Sequence, residues 1–435
     1  MNTRRIYQDN VYSTSCETVI TGTGRTREHV LLTFDGTVFF PEGGGQSSDV
    51  GTVTLVSGAE TGSETGGHSP GPAGKDRTFR IIYVFEEAGT LFHETDLPVP
   101  DDPDELPFRT GARVLLSIDW EHRFDNMQRH LGEHILSGAI HRLFGGVNRG
   151  FHMGADCMTI DIGFPEGAPG GFDKITWEMA EAAEEEANRV IWQDLPVRVD
   201  YFPDRRRAES MPLRKPLDFE ENISIVTVGD PSESPADCVA CCGTHPSSSG
   251  QVGMLKIYKI EPNKGLSRIF FDCGGRAYRR YRQEFNTLYD IGTDLSAGTT
   301  DLAEKYRARA AHYKETGDEL RVLRKHIADS EKDAILSSPD ELQIRRYQDL
   351  TVNDLTAIVK KAGKKMTGIA LLVHDPTRTV LLYSDGSRRF DCGALVKELA
   401  SGGRGGGKAA GARVTFKDKD SLQDFLEAVR YRFIR

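Results

Sequence analysis

Residues 122–134 read His122-Arg-Phe-Asp-Asn-Met-Gln-Arg-His130-Leu-Gly-Glu-His134, and residues 238–245 read Cys238-Val-Ala-Cys241-Cys242-Gly-Thr-His245. Around the first stretch, Phe124, Met127, Leu131, Ile135 and Gly138 form one small-or-apolar stripe, which predicts a helix from Trp120 to about Phe144. On that helix the four-residue step from His130 to His134 puts both imidazoles on one face, a turn apart. Cys241 and His245 repeat the step across a Gly-Thr turn. A His-His-Cys-His set of nitrogen and thiolate donors suits zinc. The bland alternatives are packed, hydrogen-bonded histidines and cysteines buried as small hydrophobes. Three cysteines in five residues, followed by His245, are hard to explain that way. Cys238-x-x-Cys241 also has metal-like spacing, so the residues alone leave open which cysteines bind and what Cys238 and Cys242 do. The two stretches are far apart, and the fold must bring them together.

The chain has 435 residues, enough for roughly three domains at ~150 residues each. Its 38% hydrophobic and 28% charged composition is that of a globular protein. No apolar run of membrane-spanning length occurs, and the N-terminus lacks a signal-peptide core, so a cytoplasmic protein is expected. Seven cysteines, an odd number, suit a metal or redox cluster better than a disulfide framework. The net charge of −10 argues against nonspecific coating of nucleic acid, although residues 401–435 carry eight Lys/Arg against four Asp/Glu.

The expected fold class is α+β. Residues 1–115 read as a β-barrel-like domain, with short β-branched and aromatic runs at Val30–Phe34, Val38–Phe40, Gly51–Val56, Phe79–Val84 and Ala112–Ile118. Residues 57–76, rich in Gly, Ser, Thr and Pro, read as a surface loop. Within this domain, Phe39-Phe40-Pro41-Glu42-Gly43-Gly44-Gly45-Gln46 carries three glycines that suit close approach of another group. Either this is a substrate-facing loop in which Gln46 and Asp49 meet a ligand, or it is a wide hairpin turn. Residues 116–275 read as an α+β zinc-binding domain, with strands at 222–229 and 253–260 on either side of the Cys/His turn.

Residues 276–336 read as a helical, coiled-coil-like linker. Leu302, Tyr306, Arg309, Tyr313, Thr316, Leu320, Leu323 and Ile327 follow an imperfect heptad seam over about nine turns. The seam suits either a paired helix or one amphipathic helix lying on its own domain. Residues 337–435 read as a small α/β module: strands Leu342–Arg346, Gly368–Val373 and Thr379–Ser384, and helices Asn353–Lys364, Cys392–Ala400 and Ser421–Arg430. The glycine stretch Ser401–Gly411 reads as a loop. Gly402–Lys408 matches part of a phosphate-loop signature, but Ala409 stands where Ser or Thr is needed and no strand precedes it, which excludes a nucleotide-hydrolysing site. A basic loop touching RNA phosphate and a plain linker turn remain.

Taken in order, Phe39–Gln46 with Asp49-Val-Gly51, His130-Leu-Gly-Glu-His134 and Cys241-Cys-Gly-Thr-His245 resemble the editing half of alanyl-tRNA synthetase and the free-standing alanyl-tRNA editing proteins. The long helix and Gly402–Lys408 are similar to that synthetase's C-terminal domain, so the resemblance covers nearly the whole chain, as in the long free-standing form. The chain begins at the editing barrel, with no aminoacylation domain expected before it. Two positions depart from the pattern: Leu131 replaces a usual Thr or Ser, and Cys242 a usual Gly. Leu131 is expected to alter the pocket wall.

The resemblance implies hydrolysis of the ester between a wrong amino acid and tRNA(Ala), chiefly Ser-tRNA(Ala), with Gly-tRNA(Ala) the second candidate. An alanine pocket cannot strongly reject serine or glycine, so a second site is needed. By the same resemblance Zn2+ is held by His130, His134, Cys241 and His245. Thr37 meets the serine hydroxyl, while Gly43, Gly44, Gly45 and Gln46 line the pocket. Arg404 and Lys408 touch tRNA, and the C-terminal half holds tRNA or makes a homodimer. No catalytic group is identified beyond a metal-associated water, and four protein ligands leave open whether the zinc is catalytic or structural. The alternative function is a noncatalytic, zinc-containing tRNA-binding module. A zinc peptidase is set aside, because His-Glu-x-x-His needs Glu where Leu131 stands.

Overall fold

Alternation of inward apolar and outward polar residues, as in Val114, Leu116 and Ile118, bends the first third of the chain into a closed barrel. The computed structural model describes residues 3–56, 78–102, 105–167, 169–362 and 365–433. The surface loop expected over 57–76 lies outside the described residues. The barrel strands are β1 (Ser15–Arg25), β2 (His29–Phe34), β3 (Gly51–Leu55), β4 (Thr78–Glu87), β5 (Thr90–Pro98) and β6 (Arg113–Ile118), closed in the order β1-β2-β5-β4-β3-β6. Ile20, Leu32, Phe34, Val53, Ile81, Val84 and Leu116 fill it.

Val38–Phe40, expected as a strand, is buried but joins no sheet. Side chains satisfy its backbone instead of a ladder: Arg123 donates to the Val38 carbonyl at 2.7 Å, and Asp49 accepts from the Phe40 N–H at 2.6 Å. Asp49 and Arg123 also form a fully buried ion pair that ties the glycine motif to the first long helix.

That helix, α1 (Trp120–Phe144), starts at Asp119, whose side chain accepts from the His122 N–H, and ends at Gly145 in the left-handed region. It packs on α2 (Trp177–Trp192). A four-stranded sheet in the order β12-β13-β8-β7 shares its core, through Leu131, Ile135, Ile160, Ala183, Ile269 and Phe271. These strands are β7 (Val147–Met153), β8 (Met158–Gly163), β12 (Leu255–Asn263) and β13 (Leu266–Cys273). A second, three-stranded sheet holds β9 (Val197–Asp204), β10 (Glu221–Val228) and β11 (Asp237–Ala240). Leu131, expected at the pocket wall, is fully buried in the core that α1 shares with α2 and the four-stranded sheet.

The chain divides into two compact units, Met1–Thr287 and Leu288–Arg435. Helix α3 (Gly274–Leu295) spans the border. In the second unit α4 (Leu302–Ser337) runs 36 residues, about 54 Å at the α-helical rise. Its last turns bury Ala328 and Ile335 against α5 (Val352–Ala362), whereas Tyr306, Tyr313, Leu320, Leu323 and Ile327 remain exposed. A five-stranded sheet follows, ordered β14-β15-β16-β18-β17: β14 (Leu342–Tyr347), β15 (Ile369–His374), β16 (Thr379–Ser384), β17 (Gly403–Lys408) and β18 (Gly411–Phe416). One face packs on α6 (Cys392–Leu399) and α7 (Lys419–Phe433), the other on α4 and α5, so β15 is buried throughout.

The glycine stretch expected as a loop is therefore corrected: Gly403–Lys408 is an edge strand paired antiparallel with β18, from Gly403 opposite Phe416 to Lys408 opposite Gly411. Its glycines lack the branched side chains that mark a strand in sequence, and the partner strand supplies the pairing. Arg404 and Lys408 are exposed on it. Among the described residues no helix is long and apolar enough to cross a membrane.

Candidate metal centre

The expected donors come together. His130 and His134 project from α1, while Cys241 and His245 lie on the loop that leaves β11, and the four ligand atoms lie within 4.8 Å of one another. Cys241 Sγ is 3.3 Å from His130 Nε2 and 3.6 Å from His245 Nε2. A sulfur and a nitrogen bound tetrahedrally to one zinc-sized ion would stand about 3.6 Å apart. His134 Nε2 is buried with no hydrogen-bond partner among the described residues, the condition of a nitrogen placed to meet a cation. The donor set therefore fits a single metal ion.

On the two helix histidines the nitrogens that face away from the centre are held. Gln46 Oε1 lies 2.9 Å from His130 Nδ1, and Asp237 Oδ2 lies 3.0 Å from His134 Nδ1. Each acceptor fixes a ring so that Nε2 points inward with its lone pair free. Gln46 also donates to Thr244 Oγ1 at 2.7 Å and accepts from the Thr244 N–H at 3.0 Å, so one side chain clamps both halves of the site. Asp237 is itself held by Arg214 Nε at 2.5 Å.

The electrostatics favour a thiolate at Cys241. Burial pushes the Cys241 thiol up, but His130, His245 and His134 around it override that and hold it well below its ordinary value. Burial pulls His134 down, yet the Cys241 thiolate and Asp237 outweigh it and raise the ring. Burial also lowers His245, and without a carboxylate at its side the ring stays lowered, to about 4. The asymmetry between the two histidines follows from Asp237 and Glu133 beside His134 and from the charges of His130 and His134 beside His245.

The structure separates the cysteines. Cys238 is buried beside Ile223, Ile225 and Leu217, so it packs as a small hydrophobe outside the four-donor cluster. Cys242 is exposed, and the site explains its neighbour's identity: a Cβ on Gly44 would lie 2.8 Å from Cys242 Sγ. Gly44 and Gly45 both have positive φ and form the tip of a tight turn in which Gly43 and Gln46 exchange backbone hydrogen bonds. The glycine motif is thus a turn, and it is also pressed against the metal loop and Phe151.

A cavity of about 280 Å³ opens beside the donors, lined among others by Gly44, His130, His134, Cys241, Glu133, Asn148 and Phe151. Glu133 Oε1 accepts from Ser137 Oγ at 2.6 Å and Asn148 Nδ2 at 2.7 Å. Thr37 and Gln46 are fully buried and do not line this cavity. Thr37 Oγ1 is 2.9 Å from His93 Nε2 and accepts from the Phe39 N–H. Because His93 Nδ1 faces the Leu32 carbonyl, its Nε2 accepts the Thr37 hydroxyl proton. Asp49, read as a possible ligand contact, is wholly engaged by Arg123 and Phe40. Asp237, Arg214 and Asn148 were not foreseen as site residues. Asp237 precedes the cysteine run by a single residue, but nothing in the sequence shows which way it faces.

Residues 223–270, which carry β10, β11, the metal loop and β12, match the family model described as the threonyl and alanyl tRNA synthetase second additional domain. The similarity to curated proteins is much longer. The alanyl-tRNA editing protein AlaX-L of Pyrococcus horikoshii is 27% identical over 439 residues, covering 98% of each chain. The alanine–tRNA ligase of Halorubrum lacusprofundi is 27% identical over 98% of this chain but only 43% of the ligase, and that of Pyrococcus abyssi 26% over 92% and 40%. The chain spans less than half of each ligase and nearly all of the editing protein, so its resemblance is to the free-standing long form.

Proposed function

We propose that this protein is an aminoacyl-tRNA deacylase that removes serine, and secondarily glycine, from mischarged tRNA(Ala) in the cytoplasm. One observation carries the reading: four donors from segments over a hundred residues apart converge, and three of them, His130, His134 and Cys241, line a small cavity, in a chain similar end to end to an alanyl-tRNA editing protein. The cavity lies near the lower end of small-ligand sites, about 300 Å³, which suits an aminoacyl group and excludes the body of a tRNA.

Zinc is the ion the thiolate and three imidazoles select, held by His130, His134, Cys241 and His245. When bound, it supplies Lewis-acid polarisation at the reacting ester. The chain's own residues do the rest. Gln46 and Asp237 orient the two helix histidines, the Gly44–Gly45 turn and Phe151 close one side, and Glu133 fixes Asn148 at the wall. His134→Ala is expected to lose zinc and deacylation together; retained metal with full activity would sink the assignment.

Four protein donors are also the closed pattern of a structural ion. That observation favours, as a second reading, a noncatalytic module that binds tRNA and leaves the ester intact. In either reading the second unit offers Arg404 and Lys408 on its glycine edge strand to tRNA, and the exposed seam of α4 to a second copy of the chain.

A further inference from the structure

The cavity beside the metal donors carries three cationic side chains, and they are not equivalent. Arg214 is nearly buried and engaged by Asp237. Arg149, exposed on β7, and Lys215, half-buried on the segment before β10, have no hydrogen bond or ion pair among the described residues. They come from different elements, yet both line this one small opening. Among the described residues Glu133 is the single carboxylate in its lining, and it already accepts from Ser137 and Asn148. In a chain of net charge −10, two unneutralised cations at one cavity form a local anion-attracting field.

We propose that Arg149 and Lys215 form a phosphate anchor for the terminal nucleotide of the tRNA, gripping the phosphate on the 5′ side of the sugar that bears the amino acid. The inference rests on the deacylase reading and adds to it the part of the substrate held outside the cavity. With room for little beyond an aminoacyl group, the cavity leaves the terminal nucleotide at its mouth, where its phosphate meets these cations. Arg149 supplies a planar fork for two phosphate oxygens and Lys215 a point charge. The anchor contacts no base, so it positions the ester without reading sequence.

The test uses the full zinc-loaded chain and two amide-linked 3′-seryl-adenosine analogues, one with a 5′-phosphate and one without, with binding measured by calorimetry. The phosphorylated analogue is expected to bind about tenfold to a hundredfold tighter, the range for hydrogen bonds to charged groups. That gain should disappear in Arg149→Gln/Lys215→Gln. Equal affinity of the wild-type protein for both analogues would overturn the anchor, and so would a phosphate gain that survives in the double variant. Because the first comparison needs no variant, a folding defect in the mutant does not rescue the idea. Hydrolysis of Ser-tRNA(Ala), measured separately on the same sample, shows whether a failure belongs to the anchor alone or to the deacylase reading beneath it.

Discussion

The outward-facing nitrogens of His130 and His134 are committed to Gln46 and Asp237, and this second layer would decide how firmly a metal is held by the proposed donors. Removing the carboxylate in Asp237→Asn is expected to weaken metal affinity by about 10–100-fold. Competition against a chelating dye measures that loss, and unchanged affinity would show that Asp237 serves only Arg214. A second residue-scale effect lies in the barrel. Burial lowers the His93 imidazole to about 3, against its bonds to backbone carbonyls, so the folded state keeps it neutral. Its unfolded value is about 6.5. The folded value is the depressed one, so neutral His93 favours the fold above about pH 6.5, and that contribution is lost as pH falls towards 3. His93→Phe should therefore flatten the fall of the urea midpoint with acid; identical slopes in the two proteins would contradict this. At this scale the sequence showed the His130–His134 pair, because four-residue spacing on a helix has a geometric meaning, while the choice of Cys241 among its neighbours came from the family resemblance. It did not show the roles of Gln46, Asp237 or Thr37, because these depend on contacts with residues far away in the chain.

Helix α1 was legible from its apolar stripe, since a 3.6-residue period leaves a mark in any single sequence. The edge strand β17 was not, because its strand character resides in the neighbour it pairs with. Val38–Phe40 misled in the opposite direction: its residues suit a strand, but Arg123 and Asp49 take its polar backbone groups. The same two side chains join the barrel to α1, and the ion pair is fully buried. Asp49→Ala leaves the buried Arg123 charge without its counter-ion, which should destabilise the first unit by about 3–5 kcal/mol. Equilibrium unfolding in urea measures this. A loss below about 1 kcal/mol, the level of a surface pair, would mean the pair is not a structural joint.

For the whole molecule, the metal centre lies entirely within Met1–Thr287, and the long exposed seam and the glycine edge strand lie within Leu288–Arg435. Removing Leu288–Arg435 should leave zinc bound while tRNA binding weakens or a dimer dissociates. Unchanged tRNA affinity and unchanged mass in sedimentation would refute the role given to the second unit. The α+β class and the barrel could be anticipated from the sequence, whereas the two-unit division could not, since it reflects how densely residues contact one another in space. The account's central claim is tested most directly by deacylation of purified Ser-tRNA(Ala), Gly-tRNA(Ala) and Ala-tRNA(Ala), with zinc measured in the same sample. Rapid loss of serine with alanine spared, in a sample holding one zinc per chain, is the predicted result. Tight tRNA binding with every ester left intact would contradict it.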